Sequence, residues 1–400
     1  MTRAVSRQFM ARHWLVLGVA LFGGAGCVRA VSTVAPAPDS APAPSVPAAA
    51  LSRLADTVWY ISSRAREQGR DTRRFADSLE YGLAVHTYRR SADVLVDGLD
   101  LEVADSVIIS RGDFVRGIRA ATGTTASDDF AVLFVHGFGT SLRECVRYAS
   151  ESRIRSRSGV PWVAFCWPSN GTGFAPPSRG ALLDRAYRSD SAVAVESQPA
   201  FGRAAGVMLD AVPASRLMLV SHSLGAQLMA GALGDSTALR ERFAHAGARA
   251  IVFAAPDLDR DRFADSVVSR LQSLTERLVL YTSGHDRMLT LSRVRSGAAR
   301  AGQRRDAPLA NPTLETVDAT EGLSAENRFA QIFGTHHALR RASSVLFDMI
   351  YVVGARRTPE CRVALGTGTW RAQTGWELTS LLPKTEEIDA RCATGIRERH

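Results

Sequence analysis

The chain has almost no lysine, and its positive charge comes as arginine scattered along its length with no basic block. A formal charge of +9 carried in that form describes a solvated surface. No aromatic-and-basic platform accompanies it, which argues against nucleic acid as a partner. Missing too are a C-x-x-C pair, metal-ligand spacing and a Gly-rich nucleotide fingerprint, so no metal, thioredoxin-like dithiol or other cofactor is implied. No internal repeat is visible. What is there is ordinary globular material: 400 residues, 46% hydrophobic and 22% charged, enough for one large core with decorated ends.

The amino-terminal decoration is an export signal in layout. Arg3, Arg7 and Arg12 precede an apolar run from Trp14 to Phe22 that is too short to span a bilayer comfortably. The run ends Gly23-Gly24-Ala25-Gly26-Cys27, which resembles a bacterial lipobox, with Gly24 where that pattern prefers leucine. Two outcomes stay open: lipidation of Cys27 at the end of segment 1–27, or an ordinary signal peptide cut nearby. Residues 28–50 consist mainly of Ala, Pro, Ser and Val, with Ala-Pro-Ala-Pro twice. Such a segment buries no core and favours extended polyproline geometry. A tether directly behind a lipidated cysteine holds a folded domain clear of a membrane surface, which favours an exported, membrane-anchored cell-envelope lipoprotein.

Export permits disulfides. Cys361 and Cys392 bracket a terminal segment and are expected to be bridged, whereas Cys145 and Cys166 sit in apolar surroundings that suit buried thiols equally well.

Residues 51–354 alternate short β-like runs with longer helical patterns, the signature of a sheet with crossover helices. Strands are expected over Val58 to Ile61, Tyr81 to Tyr88, Ala131 to His136, Trp162 to Trp167, Leu217 to Ser221, Ala250 to Ala254, Leu278 to Thr282 and Leu314 to Val317. Residues 92–129 contain apolar pieces, Val94 to Val96 and Val107 to Ile109, without strong order, and read as an insertion. Residues 355–400 lose the α/β rhythm and read as an extension of unknown purpose.

The chemistry concentrates where strands end. The stretch Arg216 to Met229 reads as a buried strand, a sharp turn Ser221-His222-Ser223-Leu224-Gly225 and a helix. A nucleophile elbow needs that context, because the turn holds its serine in a strained conformation with the hydroxyl clear of the sheet. By itself S-x-S-x-G is a common small-residue turn. Upstream, Ala131 to Val135 is a buried strand ending in His136-Gly137-Phe138-Gly139, and the loop after such a strand supplies one N–H to an oxyanion hole. Phe138 and Leu224 are the expected donors, with His136 ordering the loop.

A triad needs an acid and then a base downstream. Asp286 follows the strand Leu278 to Thr282; Asp257 and Asp318, each after another strand, are rivals. The base comes from His336 or His337, which otherwise cap a helix start or bind metal. Trp167, in the loop Trp167 to Gly171 at the same carboxyl edge, and Tyr187 are candidates for the substrate pocket; for Tyr187 and for Asp190, further along, packing that loop and lining the pocket are equally good readings.

The ordered set Val58 to Arg64, Leu79-Glu80-Tyr81-Gly82, Phe134 to Phe138, Trp167-Pro168-Ser169, His222 to Gly225, Ala255 to Asp259 and His336 to Asp348 resembles a bacterial α/β-hydrolase family of unknown function, of esterase/lipase-superfamily type, over roughly Val58 to Val353. The resemblance implies an α/β-hydrolase fold, a mostly parallel eight-stranded sheet with helices on both faces, and a hydrolytic triad. Counting back from Val345 and Asp348, the family's interval favours His336 over His337. The expected activity is that of a serine hydrolase on a small-molecule ester or acyl substrate. A thioesterase or amidase, and a non-catalytic envelope lipoprotein using the fold as a binding scaffold, are the alternatives.

Overall fold

The structure, a computed structural model, describes residues 53–392 apart from 69, 90–100, 124–128, 170–179, 305–308, 310, 323–341 and 373–374. Cys27, the tether, Val94 to Val96, His336 and His337 lie outside the described residues, all of which fall in the compact unit Ala50–His400. Among the described residues no helix is long and apolar enough to cross a membrane.

The strands are β1 (Arg53–Glu67), β2 (Arg70–Arg89), β3 (Leu101–Ile109), β4 (Ala131–Val135), β5 (Trp162–Cys166), β6 (Leu217–His222), β7 (Ala250–Ala254), β8 (Leu278–Thr282), β9 (Leu314–Asp318), β10 (Gly368–Arg371) and β11 (Gly375–Leu378). They form one eleven-stranded sheet in the order β10-β11-β9-β8-β7-β6-β4-β5-β1-β2-β3. From β11 through to β1 every neighbouring pair is parallel; β10 and β2 run against the rest, and β3, antiparallel to β2, runs with them again. The fold is that of an α/β hydrolase.

Successive side chains of a strand face opposite sides, and β4 divides accordingly. Val132 and Phe134 join a core with α2 (Leu142–Ser156) and the helix Ser343–Phe347. Ala131, Leu133 and Val135 join a second core with α1 (Arg111–Ala121), α4 (Gln198–Ala211) and α5 (Gly225–Asp235). Strands covered on both faces must be apolar throughout, which is why β4 to β8 stand out in the sequence.

Three expectations are corrected. The eight strands are present, but three more join them. Within 92–129, described residues form β3 and α1, so this stretch extends the sheet and covers it; its signal is weak because β3 is an edge strand with Val107 and Ile108 exposed, and α1 buries only Phe114 and Ile118. The tail is no appendage, since β11 pairs in parallel with β9 and β10 with β11.

A buried ionic network anchors the tail. Arg362 makes a bidentate pair with Asp348, at 2.7 and 2.8 Å, and also bonds Glu315. Asp348 accepts from Tyr281 Oη at 2.5 Å, and Arg277 reaches Glu315 at 2.6 Å. Cys361 is bridged to Cys392 as expected. Cys145 and Cys166 are bridged too, because α2 packs on β5 and brings their Cα atoms to 5.8 Å.

Candidate active site

Parallel strands end at one edge, where open α/β sheets place their ligand sites. At the end of β6 the backbone turns sharply into α5, and Ser223 sits in the turn at φ +54°. A non-glycine residue in the left-handed region costs energy and persists only where its surroundings fix it. Here the Ser223 N–H donates to the Ala254 carbonyl at 3.1 Å, and its own carbonyl accepts from Asp257 N–H at 3.1 Å and Ala226 N–H at 3.0 Å. Ser221 is buried within β6, two residues earlier, with Oγ 3.5 Å from the Val252 carbonyl.

Glycine is required on both sides of this turn by close approach. A Cβ on Gly225 would lie 2.4 Å from the His136 carbonyl oxygen, and one on Gly137 would lie 2.9 Å from Ser223 Cβ. The loop after β4 therefore touches the elbow. Among the described residues, neither the Phe138 nor the Leu224 backbone N–H has an acceptor in the protein. His136 is fully buried and stacks on Trp167 with ring centroids 5.0 Å apart. Trp167 is equally buried and donates its indole N–H to the His136 carbonyl at 2.9 Å. Its position braces the loop from beneath, the packing alternative to lining a pocket. Tyr187, on α3 (Gly180–Glu196), is part-buried and packs on Phe138 at 5.7 Å between centroids.

The three candidate acids differ in surroundings. Asp257 is surrounded by donors: Tyr187 Oη, Ser292 Oγ at 2.7 Å and Arg300 Nε at 2.6 Å. Burial and the adjoining Asp257 charge push the Tyr187 phenol up, keeping it a donor at neutral pH. Asp318 bonds the Thr320 N–H at 3.0 Å and Arg304 at 2.9 Å, while burial pushes its carboxyl up. Asp286 is buried on the loop after β8, where it caps α7 (Arg287–Ser296) through one bond from Leu289 N–H at 2.9 Å. A capping aspartate uses one oxygen in this way. Among the described residues no group of three or more His, Cys, Asp or Glu side chains is placed to hold a metal ion.

Residue reading offered Asp190 as loop packing or pocket lining, but did not single out Arg64 or Ser169 as supports of the loop Gly137 to Thr140. Asp190 accepts from the Gly139 N–H at 2.9 Å and from Ser169 Oγ at 2.6 Å, Ser169 Oγ accepts from the Thr140 N–H at 3.0 Å, and buried Arg64 donates to the carbonyls of Thr140 and Ser169. The only local signal was an arginine directly after the run Val58 to Ser63 in β1.

An α/β sheet with a strained serine elbow defines the α/β-hydrolase class. The chain belongs to the alpha/beta hydrolase family of unknown function DUF900, whose profile matches residues 120–324. No curated protein sequence matches the chain. Similar solved structures include a CIB-like hydrolase from Thermoplasma acidophilum, 12% identical with a TM-score of 0.27, over 72% of this chain and 98% of that one. Dipeptidyl peptidase 4 of Porphyromonas gingivalis is 13% identical with a TM-score of 0.24, over 56% of this chain and 32% of that one. Oligopeptidase B of Leishmania major is 12% identical with a TM-score of 0.24, over 73% of this chain and 37% of that one.

Proposed function

We propose that this hydrolase cleaves an ester or related acyl compound through an acyl-enzyme on Ser223. His336 takes the Ser223 proton and returns it to the leaving group, Asp286 holds the imidazole in its working tautomer, and the N–H groups of Phe138 and Leu224 receive the oxyanion. The observation that carries this reading is the left-handed backbone of Ser223, held by three backbone bonds and by two glycines that leave room for nothing larger. A strained serine at the end of a central parallel strand, with a glycine-lined loop against it, is the arrangement a nucleophile needs, which favours an enzyme over the non-catalytic alternative. Among the acids, Asp257 is already committed to Arg300, Tyr187 and Ser292, which weighs against it, and Asp286 keeps the place after β8 that chain order favours. Thioester and amide substrates share the same machinery and differ in the leaving group.

We place the protein outside the cytoplasm, anchored in the cell envelope by lipid on Cys27. Two disulfides in one domain suit an oxidising compartment.

The test is Ser223→Ala beside Ser221→Ala. Turnover of a short-chain aryl ester by Ser223→Ala is expected to fall by about 10³ to 10⁶ with the melting temperature kept, and fluorophosphonate labelling to vanish. Ser221→Ala, within β6 two residues before the elbow serine, should keep both. A folded Ser223→Ala protein that still took the label would end the serine-hydrolase reading.

A further inference from the structure

The loop Gly137 to Thr140 is short, carries Gly139 at φ +67°, and bears the Phe138 N–H assigned to the oxyanion hole. A loop of that shape holds a donor in place only if its other peptide groups are tied down, since preorganised donors are effective because they need not reorganise during reaction. The ties come from three separate elements. Asp190 on α3 fixes the Gly139 N–H, Ser169 after β5 fixes the Thr140 N–H, and Arg64 on β1 fixes the Thr140 carbonyl.

Arg64 reaches this point through an irregularity in its strand. β1 pairs with β5 as far as Ser62 opposite Cys166, and its register with β2 shifts between Ser62 and Arg64 and again between Arg64 and Arg66. Bulges re-aim side chains at the rims of sheets. Beyond the last β5 pairing, the guanidinium reaches the carbonyls of Thr140 and Ser169, the latter at 3.1 Å, and the Thr72 carbonyl on β2 at 3.4 Å. Its residue is only 5% exposed. A buried cation with carbonyl partners and, among the described residues, no carboxylate in direct contact is costly to keep for stability alone. Burial pulls its pKa down to about 10 while the charges of Asp71 and Asp190 pull it up, so it remains a cation at neutral pH. A planar guanidinium with several fixed donors binds two carbonyls at once, which a lysine does not reproduce.

We propose that Arg64, acting with Ser169 and Asp190, is a positioning residue for the oxyanion loop. It belongs to the β1–β2 hairpin, which lies outside the segment matched by the family profile, so the hairpin is coupled to the reaction centre through one side chain. The inference rests on the serine-hydrolase reading above.

The experiment compares the full-length parent, Arg64→Gln, Arg64→Lys, Ser169→Ala and Arg66→Gln on a short-chain aryl ester. A boronic acid is added to each as a probe, because its tetrahedral adduct occupies the oxyanion hole. A small misplacement of a catalytic donor costs about 10²-fold. Arg64→Gln is therefore expected to lose about that much in kcat, with KM within about twofold and boronate affinity falling by a similar factor. Arg64→Lys should recover part of the loss. Ser169→Ala, which removes one oxygen and leaves the Thr140 N–H without its acceptor, should lose about tenfold in kcat if even one tie matters. Arg66→Gln, from an exposed arginine paired with Glu80, should match the parent. Unchanged kcat and boronate affinity in Ser169→Ala and in Arg64→Gln, with only a lower melting temperature, would overturn the inference and leave the mechanism standing. A parent with neither turnover nor label would remove the mechanism and this inference together.

Discussion

The centre of the sheet and its two flanks are held by different physics. Strands β4 to β8 are five or six residues long and buried at every position, so burial of apolar surface on two faces fixes them. At the flanks the fixing contacts are ionic. On one side Arg66 pairs with Glu80 and Arg64 reaches the loop after β4; on the other Arg362 binds Asp348 and Glu315. The family profile begins after β3 and ends before β10, so it covers the centre and leaves out both outer edges. The centre builds the serine elbow, and the flanks contribute supports that reach it from outside the matched segment.

The sharpest way to break that comparison is at the carboxyl edge, where an acid belonging to the chemistry and acids belonging to the framework stand on neighbouring strands. Under the proposed mechanism Asp286→Asn loses the tautomer control of the base, and kcat is expected to fall by about 10⁴-fold with little change in melting temperature. Asp257→Asn leaves Arg300 buried without its counter-charge, so stability should fall by about 3–5 kcal/mol while the folded protein keeps most of its turnover. Asp318→Asn, whose partner Arg304 is part-exposed, should change both less than Asp257→Asn changes stability. Steady-state rates beside denaturant melts separate the three. A rate collapse in Asp318→Asn or Asp257→Asn, with Asp286→Asn active, would move the acid.

How much was legible follows from the range over which each signal acts. A buried strand declares itself within five residues, and the bounds of β7 and β8 agree with the sequence to the residue. The serine elbow is local as well, since Leu217 to Gly225 contains strand, turn and helix start. The tail was opaque because β10 and β11 have four residues each and carry Trp, Arg and Glu where a core strand carries Val and Ile. The supports of the loop were opaque for a different reason. Arg64 and Ser169 are 105 residues apart, and Arg362 and Glu315 are 47 apart; no window on the sequence contains both partners. The Cys145 to Cys166 bridge was missed because apolar neighbours fit a thiol and a half-cystine alike.

A second break tests the flank alone. Replacing Arg362 with methionine removes the cation from between Asp348 and Glu315, leaving buried Asp348 without its counter-charge while Glu315 keeps Arg277. The loss is expected to be about 3–5 kcal/mol of unfolding free energy, read by denaturant titration. At a temperature where the variant stays folded, its turnover should equal that of the parent, because none of the residues in the tail network is assigned a step in the reaction. A loss of rate larger than the loss of folded population would mean that flank and centre are coupled through β8 and β9.

The mildest test is acidification, which acts on the same flank without a substitution. Burial by itself would push the Glu315 carboxyl up, but Arg362 and Arg277 outweigh it and hold the group at about 2 against an ordinary 4.5. A carboxyl whose folded pKa lies below its unfolded value adds stability above the unfolded value and loses it as pH falls through the interval. For Glu315 the loss should begin near pH 4.5 and run down toward about pH 2. In Arg362→Met the main cause of the depression is gone, so less stability remains to be lost over that interval. Melting temperatures recorded from about pH 6 down to about pH 3 should therefore fall more steeply for the parent than for the variant. The apolar centre has no such dependence, and parallel curves for the two proteins would place the acid-sensitive contact elsewhere than at Glu315.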